Sequence, residues 1–190
     1  MGAKRFPTFI FIYLVVKELV KWLSEKKIRR NYLQINSLKE LVETPMSSNG
    51  YFVNFLNPPN FQLNKFFYKN IGKDHQWVDR LAWSEKEWID YVSSEKVKTY
   101  ILKKNEDICG YFELIFHADK NEFEIAYFGL LKEYHNKKLG SFLLSFAIKK
   151  CFEQKINRVW VHTCSLDHDN ALNNYLSRGM KIFKQETVFI

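Results

Sequence analysis

The chain has 190 residues, enough for one well-buried domain and short for two, and its 46% hydrophobic and 26% charged composition is globular rather than disordered. A net charge of +8 suggests nucleic acid, but residues 1–30 hold eight Lys or Arg against two Glu, leaving twenty-one against nineteen in the remainder. A phosphate-tracking surface needs its cations spread over the domain itself, so no nucleic-acid partner is expected.

The N-terminal segment carries Phe9, Ile12, Tyr13, Val16, Leu19, Val20 and Leu23 at helical spacing, which predicts a helical extension over residues 1–30 ahead of a domain over 31–190. Its uninterrupted apolar run, Phe9 to Val16, is far below the roughly 18 residues needed to cross a bilayer. No small-residue cleavage site follows, so neither a membrane span nor a signal peptide is expected. The stripe is expected to pack on its own domain or on a second copy, giving a homo-oligomer; a basic amphipathic membrane-surface anchor is the alternative. Cys109, Cys151 and Cys164 are odd in number and lack CxxC spacing, which points to free thiols in a reducing, cytoplasmic setting. The five histidines lack ligand spacing, and no metal is expected.

Further along, Tyr32–Ile35 and Tyr51–Phe55 have strand character, with loops through Asn49-Gly50 and Asn57-Pro58-Pro59-Asn60. Leu63–Ile71 is a predicted helix. Ser84 with Glu87 three residues later is a capping box that opens another through Trp88, Ile89 and Tyr91. Thr99–Leu102 and Ile108–Phe116 are predicted strands of a hairpin across Asn105-Glu106-Asp107, and Glu122–Leu131 follows as a strand. Leu139, Phe142, Leu143, Phe146 and Ala147 give a helical face. Arg158–Thr163 is a predicted strand, Asp167–Ser177 a helix and Met180–Phe189 a last strand.

The join between the third of these later strands and its helix, Glu124 to Cys151, holds the first chemical signal. Short polar residues end in Gly140-Ser141 at the head of an apolar helix. First-turn N–H groups and the helix dipole both favour an anion there. From about Tyr32 to Ile190 the chain resembles the GNAT acetyltransferase superfamily. That family marks its pyrophosphate loop as Q/R-x-x-G-x-G/A, and His135-Asn136-Lys137-Lys138-Leu139-Gly140 stands here, with Lys138 in place of the first glycine. A second family pattern, N-x-x-A-x-x-x-Y-x-x-x-G-F, is matched at Ala171, Tyr175, Gly179 and Met180, with His168 at the Asn position.

The resemblance implies an α+β fold: one GNAT-like domain with a mixed, mostly antiparallel central sheet flanked by helices and splayed at its centre for coenzyme A. It implies an acyltransferase that moves acetyl from acetyl-CoA to an amine of a small molecule or protein by direct attack in a ternary complex. The alternative is a non-catalytic module of the same fold that binds coenzyme A or a partner. Carried over residue by residue, the backbone of Phe128 and Leu130 would meet the pantetheine arm, and His135, Asn136, Lys137, Lys138, Gly140 and Ser141 the pyrophosphate. Lys138 fits that place if its φ stays negative, since a side chain there replaces hydrogen.

Tyr175 is the candidate general acid, because a phenol near pKa 10 can protonate a leaving thiolate near 8.5; a core tyrosine is the other reading. Glu124 is the candidate base, with Glu113 on the neighbouring strand as runner-up. His162 and Cys164 line the acceptor pocket or pack in the core; a Cys–His covalent route is unneeded where acetyl passes directly. Trp77, Arg80 and Trp83, with Glu113, are candidates for substrate binding, Arg80 pairing an acceptor carboxylate. Plain packing around a structural ion pair explains the same residues equally well.

Overall fold

A computed structural model of the chain describes residues 27–46 and 50–189. Most of the expected N-terminal extension lies outside the described residues. Its last four residues are strand instead of helix: β1 runs Lys27–Ile35, because Ile28, Asn31, Leu33 and Ile35 are buried within a sheet that pairs β1 on both sides. The remaining strands are β2 (Tyr51–Phe55), β3 (Val97–Lys104), β4 (Asp107–His117), β5 (Glu122–Leu130), β6 (Arg158–Cys164) and β7 (Lys181–Phe189). Four helices join them: α1 (Phe61–Gly72), α2 (Glu85–Val92), α3 (Leu139–Phe152) and α4 (Ala171–Ser177).

Local chemistry sets the helix ends. Asn60 Oδ1 accepts from the Leu63 N–H at the head of α1, and Ser84 and Glu87 close the expected capping box reciprocally at α2. The helix expected over Asp167–Ser177 starts only at Ala171. Asp167 instead accepts from the Thr163 hydroxyl and the Cys164 N–H at 2.7 and 2.8 Å, which fixes the turn leaving β6.

The seven strands lie in the order β2-β3-β4-β5-β6-β1-β7. Every neighbouring pair is antiparallel except β5 with β6. That parallel pair is hydrogen-bonded only from Glu122–Glu124 to Arg158–Trp160, and beyond it the strands part. A bulge assists the parting: Glu113 faces Tyr127 while Leu114 faces Ile125, so Ala126 is the extra residue on β5.

The core forms on both faces of the sheet. On one, Leu139, Leu143, Leu144, Ala147 and Ile148 of α3 pack on Phe112, Phe123, Ile125, Val159 and Val161. On the other, Phe67 of α1 stacks on Tyr111 with centroids 4.8 Å apart and planes 9° from parallel. Truncating a ring so enclosed costs about 3–5 kcal/mol. A Cβ at Gly129 would stand 2.6 Å from Ile71 Cγ2, so glycine there lets α1 sit down on β5 at the splay.

Candidate active site

The parting of β5 and β6 opens a cleft of about 850 Å³ that passes through the sheet. Tyr175 and Leu139 line it from the α3 side, and Ile71 and Trp77 from the α1 side. Its mouth is the loop entering α3. Asn136 and Lys138 hold φ of 59° and 58° there. The condition of a negative φ at Lys138 is therefore not met, and the residue adopts a left-handed backbone. The conformation costs a residue with a Cβ roughly 1–2 kcal/mol.

That bend turns the loop's donors outward. Phe142 N–H is the first in α3 to find a carbonyl, that of Lys138, and the N–H groups from Asn136 to Ser141 have no hydrogen-bond acceptor among the described residues. Unpartnered donors in a loop and the first turn of the helix it enters suit a pyrophosphate. Asn174 braces the arrangement, accepting from the Ser141 hydroxyl at 3.0 Å and donating to the Gly140 carbonyl at 3.4 Å. Its position next to Tyr175 in sequence was the available signal for it. Phe128, Leu130, His135, Asn136, Lys138, Gly140 and Ser141 all line the cleft. Lys137 does not; its ammonium turns back to the Glu133 carbonyl at 2.9 Å. His135 Nε2 donates to the Leu130 carbonyl at 3.1 Å, tying the loop to the end of β5.

Tyr175 is 6% exposed, and its ring lies 6.3 Å from that of Phe128. Its hydroxyl has no hydrogen-bond partner among the described residues, nor is it sealed from solvent as the Tyr111 hydroxyl is. It therefore faces the cleft. Burial pushes its pKa well above the usual phenol value, so it stays protonated and able to donate.

Glu124 is held elsewhere. Its carboxylate sits 3.0 Å from His117 Nε2, outside the lining of the cleft, and His117 is half-buried. Arg80, Trp83 and Glu113 also lie outside the lining of the cleft, and of the expected substrate-binding group only Trp77 lines it. Glu113 is fully buried, accepting from Asn64 Nδ2 at 2.7 Å, Arg80 Nη1 at 2.8 Å and the Tyr91 hydroxyl at 2.8 Å. The guanidinium lies 4.0 Å from the Tyr91 ring centroid and 4.1 Å from that of Tyr127. Burial works against its charge, and Glu113 with the flanking phenols more than offsets that, so the Arg80 pKa is raised. This is the structural ion pair. Cys164 lines the cleft half-buried, and burial raises its thiol pKa, which reduces the thiolate.

The family model described as the Acetyltransferase (GNAT) family matches residues 60–180, which include the loop, α3, β6 and Tyr175. The chain belongs to this family. An uncharacterized N-acetyltransferase in the pepI 3' region of Lactobacillus delbrueckii subsp. lactis is 29% identical over 135 residues, covering 65% of this chain and 77% of that protein. Two solved structures share the fold. A GCN5-related N-acetyltransferase from Sphaerobacter thermophilus superposes with a TM-score of 0.67 at 13% identity over 93% of this chain. An aminoglycoside acetyltransferase from an uncultured soil metagenomic sample gives 0.59 at 12% over 70% of this chain and 90% of its own. This GNAT chain spans only 55% of the length of the Sphaerobacter protein. Among the described residues no helix is long and apolar enough to cross a membrane, and no group of His, Cys, Asp and Glu is arranged to hold a metal.

Proposed function

We propose that this GNAT protein transfers an acetyl group from acetyl-CoA to a primary amine by direct attack within the β5–β6 cleft. The observation that carries the reading is the row of unpartnered N–H groups from Asn136 to Ser141 at the mouth of a cleft whose wall holds the free Tyr175 hydroxyl. The donors would hold the pyrophosphate, and the backbone of β5 at Phe128 and Leu130 would receive the pantetheine arm as an added strand once His135 releases the Leu130 carbonyl. When bound, acetyl-CoA supplies the activated thioester. Tyr175 would give its hydroxyl proton to the leaving sulfur.

A binding module without catalysis is the second reading, favoured by Lys138 in the first glycine place and by the Leu130 carbonyl already bonded to His135. Calorimetric titration with acetyl-CoA, followed by a free-thiol assay over mixed amines, separates the two. Acetyl-CoA is expected to bind the wild type and not Gly140→Trp, whose indole would fill the cleft before Leu130 and Asn174. Unchanged affinity in that variant, with an unchanged circular dichroism spectrum, overturns the assignment of the loop.

A further inference from the structure

Glu124 is engaged with His117 outside the cleft, so the acceptor amine needs another proton acceptor. Two lining residues from distant parts of the chain meet that need. His162 lies on β6 two positions past Trp160, the last residue paired with β5, where the strands have already parted. Strand alternation buries Val161 in the α3-side core and sends His162 to the opposite face. Its ring packs against Tyr32 at 5.8 Å, and neither ring nitrogen has a hydrogen-bond partner among the described residues. The residue keeps solvent access, and partial desolvation of the ring, and then the Arg30 charge from β1, lower its pKa. Glu124 on β5, Asp167 after β6 and Asp79 before α2 pull the other way without reversing the shift. The imidazole is therefore neutral at neutral pH.

Asp79, in the turn between α1 and α2, lines the same cleft. Tyr68 donates to its Oδ1 at 2.8 Å and Tyr127, beside the β5 bulge, to its Oδ2 at 2.6 Å. The Arg80 N–H in turn donates to the Tyr68 oxygen at 3.0 Å, which fixes that phenol. Burial raises both phenol pKa values, so both remain donors. A carboxylate clamped in this way is fixed in orientation and keeps a free lone pair on each oxygen. It is suited to holding a cation. The neighbouring Arg80 guanidinium is taken up by Glu113, and of the arginines lining the cleft Arg30 is directed to Glu186 at 3.6 Å.

We propose that Asp79 and His162 form the acceptor subsite of the acetyl transfer proposed above, and that it takes a cationic primary amine carrying no carboxylate. Asp79 holds the ammonium and His162 removes its first proton, which passes to solvent. The freed lone pair forms the N–C bond to the acetyl carbon while the C–S bond breaks and its electron pair leaves on sulfur. Tyr175 gives sulfur its proton and regains one from the remaining N–H protons of the nitrogen, so the products are the amide, the free thiol and one released proton.

The test uses the full chain, with 1,4-diaminobutane as the cationic probe and glutamate as the carboxylate-bearing comparator. Without acetyl-CoA, the diamine is expected to shift the imidazole resonances of His162, assigned by their loss in His162→Gln. Asp79→Asn should weaken diamine affinity about tenfold or more, as for a lost hydrogen bond to a charged group, and leave acetyl-CoA affinity unchanged. His162→Gln should leave both affinities unchanged and lower kcat about 100-fold or more. It should also remove the acidic limb of the pH profile, which in the wild type lies below the ordinary histidine value of 6.5. A diamine that leaves His162 unmoved, glutamate binding in preference to it, or an Asp79→Asn variant with wild-type diamine affinity overturns the subsite while acetyl-CoA binding stands. Loss of acetyl-CoA binding in the wild type overturns the underlying transfer reading instead, and the diamine resonances still report on the subsite.

Discussion

The two halves of the sheet treat their polar side chains in opposite ways. Under α1 and α2, Glu113, Arg80 and Asn64 are buried together beside the half-buried Tyr91, with three hydrogen bonds on one carboxylate. Where β5 leaves β6, Tyr175, His162 and the backbone N–H groups of Asn136 and of Lys138 to Ser141 have no partner among the described residues and lie at the cleft. Composition does not separate the halves, since both are aromatic with scattered charge. Completion of the hydrogen bonds does: a polar group whose partners are all internal holds the fold, and one left open at a cavity is available to a ligand.

The largest expected effect tests the closed half. Arg80→Ala leaves the Glu113 charge buried without its counter-ion and should destabilise the protein by about 3–5 kcal/mol. Urea unfolding measures it, and a loss no larger than that of an exposed ion pair would dissolve the contrast. Next comes the open half. Tyr175→Phe should lower turnover by about 30- to 1,000-fold, equivalent to roughly 2–4 kcal/mol, with acetyl-CoA affinity unchanged. Because no internal partner is orphaned, its stability should move by less than about 1.5 kcal/mol. Normal turnover with lost stability would put Tyr175 among the closed groups. The smallest effect lies at the boundary. Lys138→Gly should raise stability by about 1 kcal/mol or slightly less, as release of left-handed strain outweighs the greater chain entropy of glycine. A calorimetric melt checks the sign, and a drop would mean the Lys138 side chain contributes a contact of its own.

Much of the site was legible because its signals are local. The strand–loop–helix join, Gly140 at the helix head and the Ala171–Tyr175–Gly179 spacing all lie within short stretches of chain, and each occupies its expected place in the fold. The departures have physical causes. Lys138 took a positive φ because the loop geometry is set by α3 packing on the sheet, not by the preference of one residue. Glu124 lies short of the cleft because it is still paired with Trp160, where β5 and β6 have not yet parted, and its carboxylate meets His117.

By itself the sequence determined the elements, their order and the motif residues, since helix caps, periodicity and turn chemistry act over a few neighbouring positions. Only the tertiary structure decided which polar residues were closed off and which left open. Arg80 met Glu113 and Asp79 met Tyr127 across 33 and 48 positions of chain, and β1 entered between β6 and β7 to bring Tyr32 against His162. Whether a charge or a hydroxyl is satisfied depends on partners brought together by the sheet order, and no local pattern encodes their arrival.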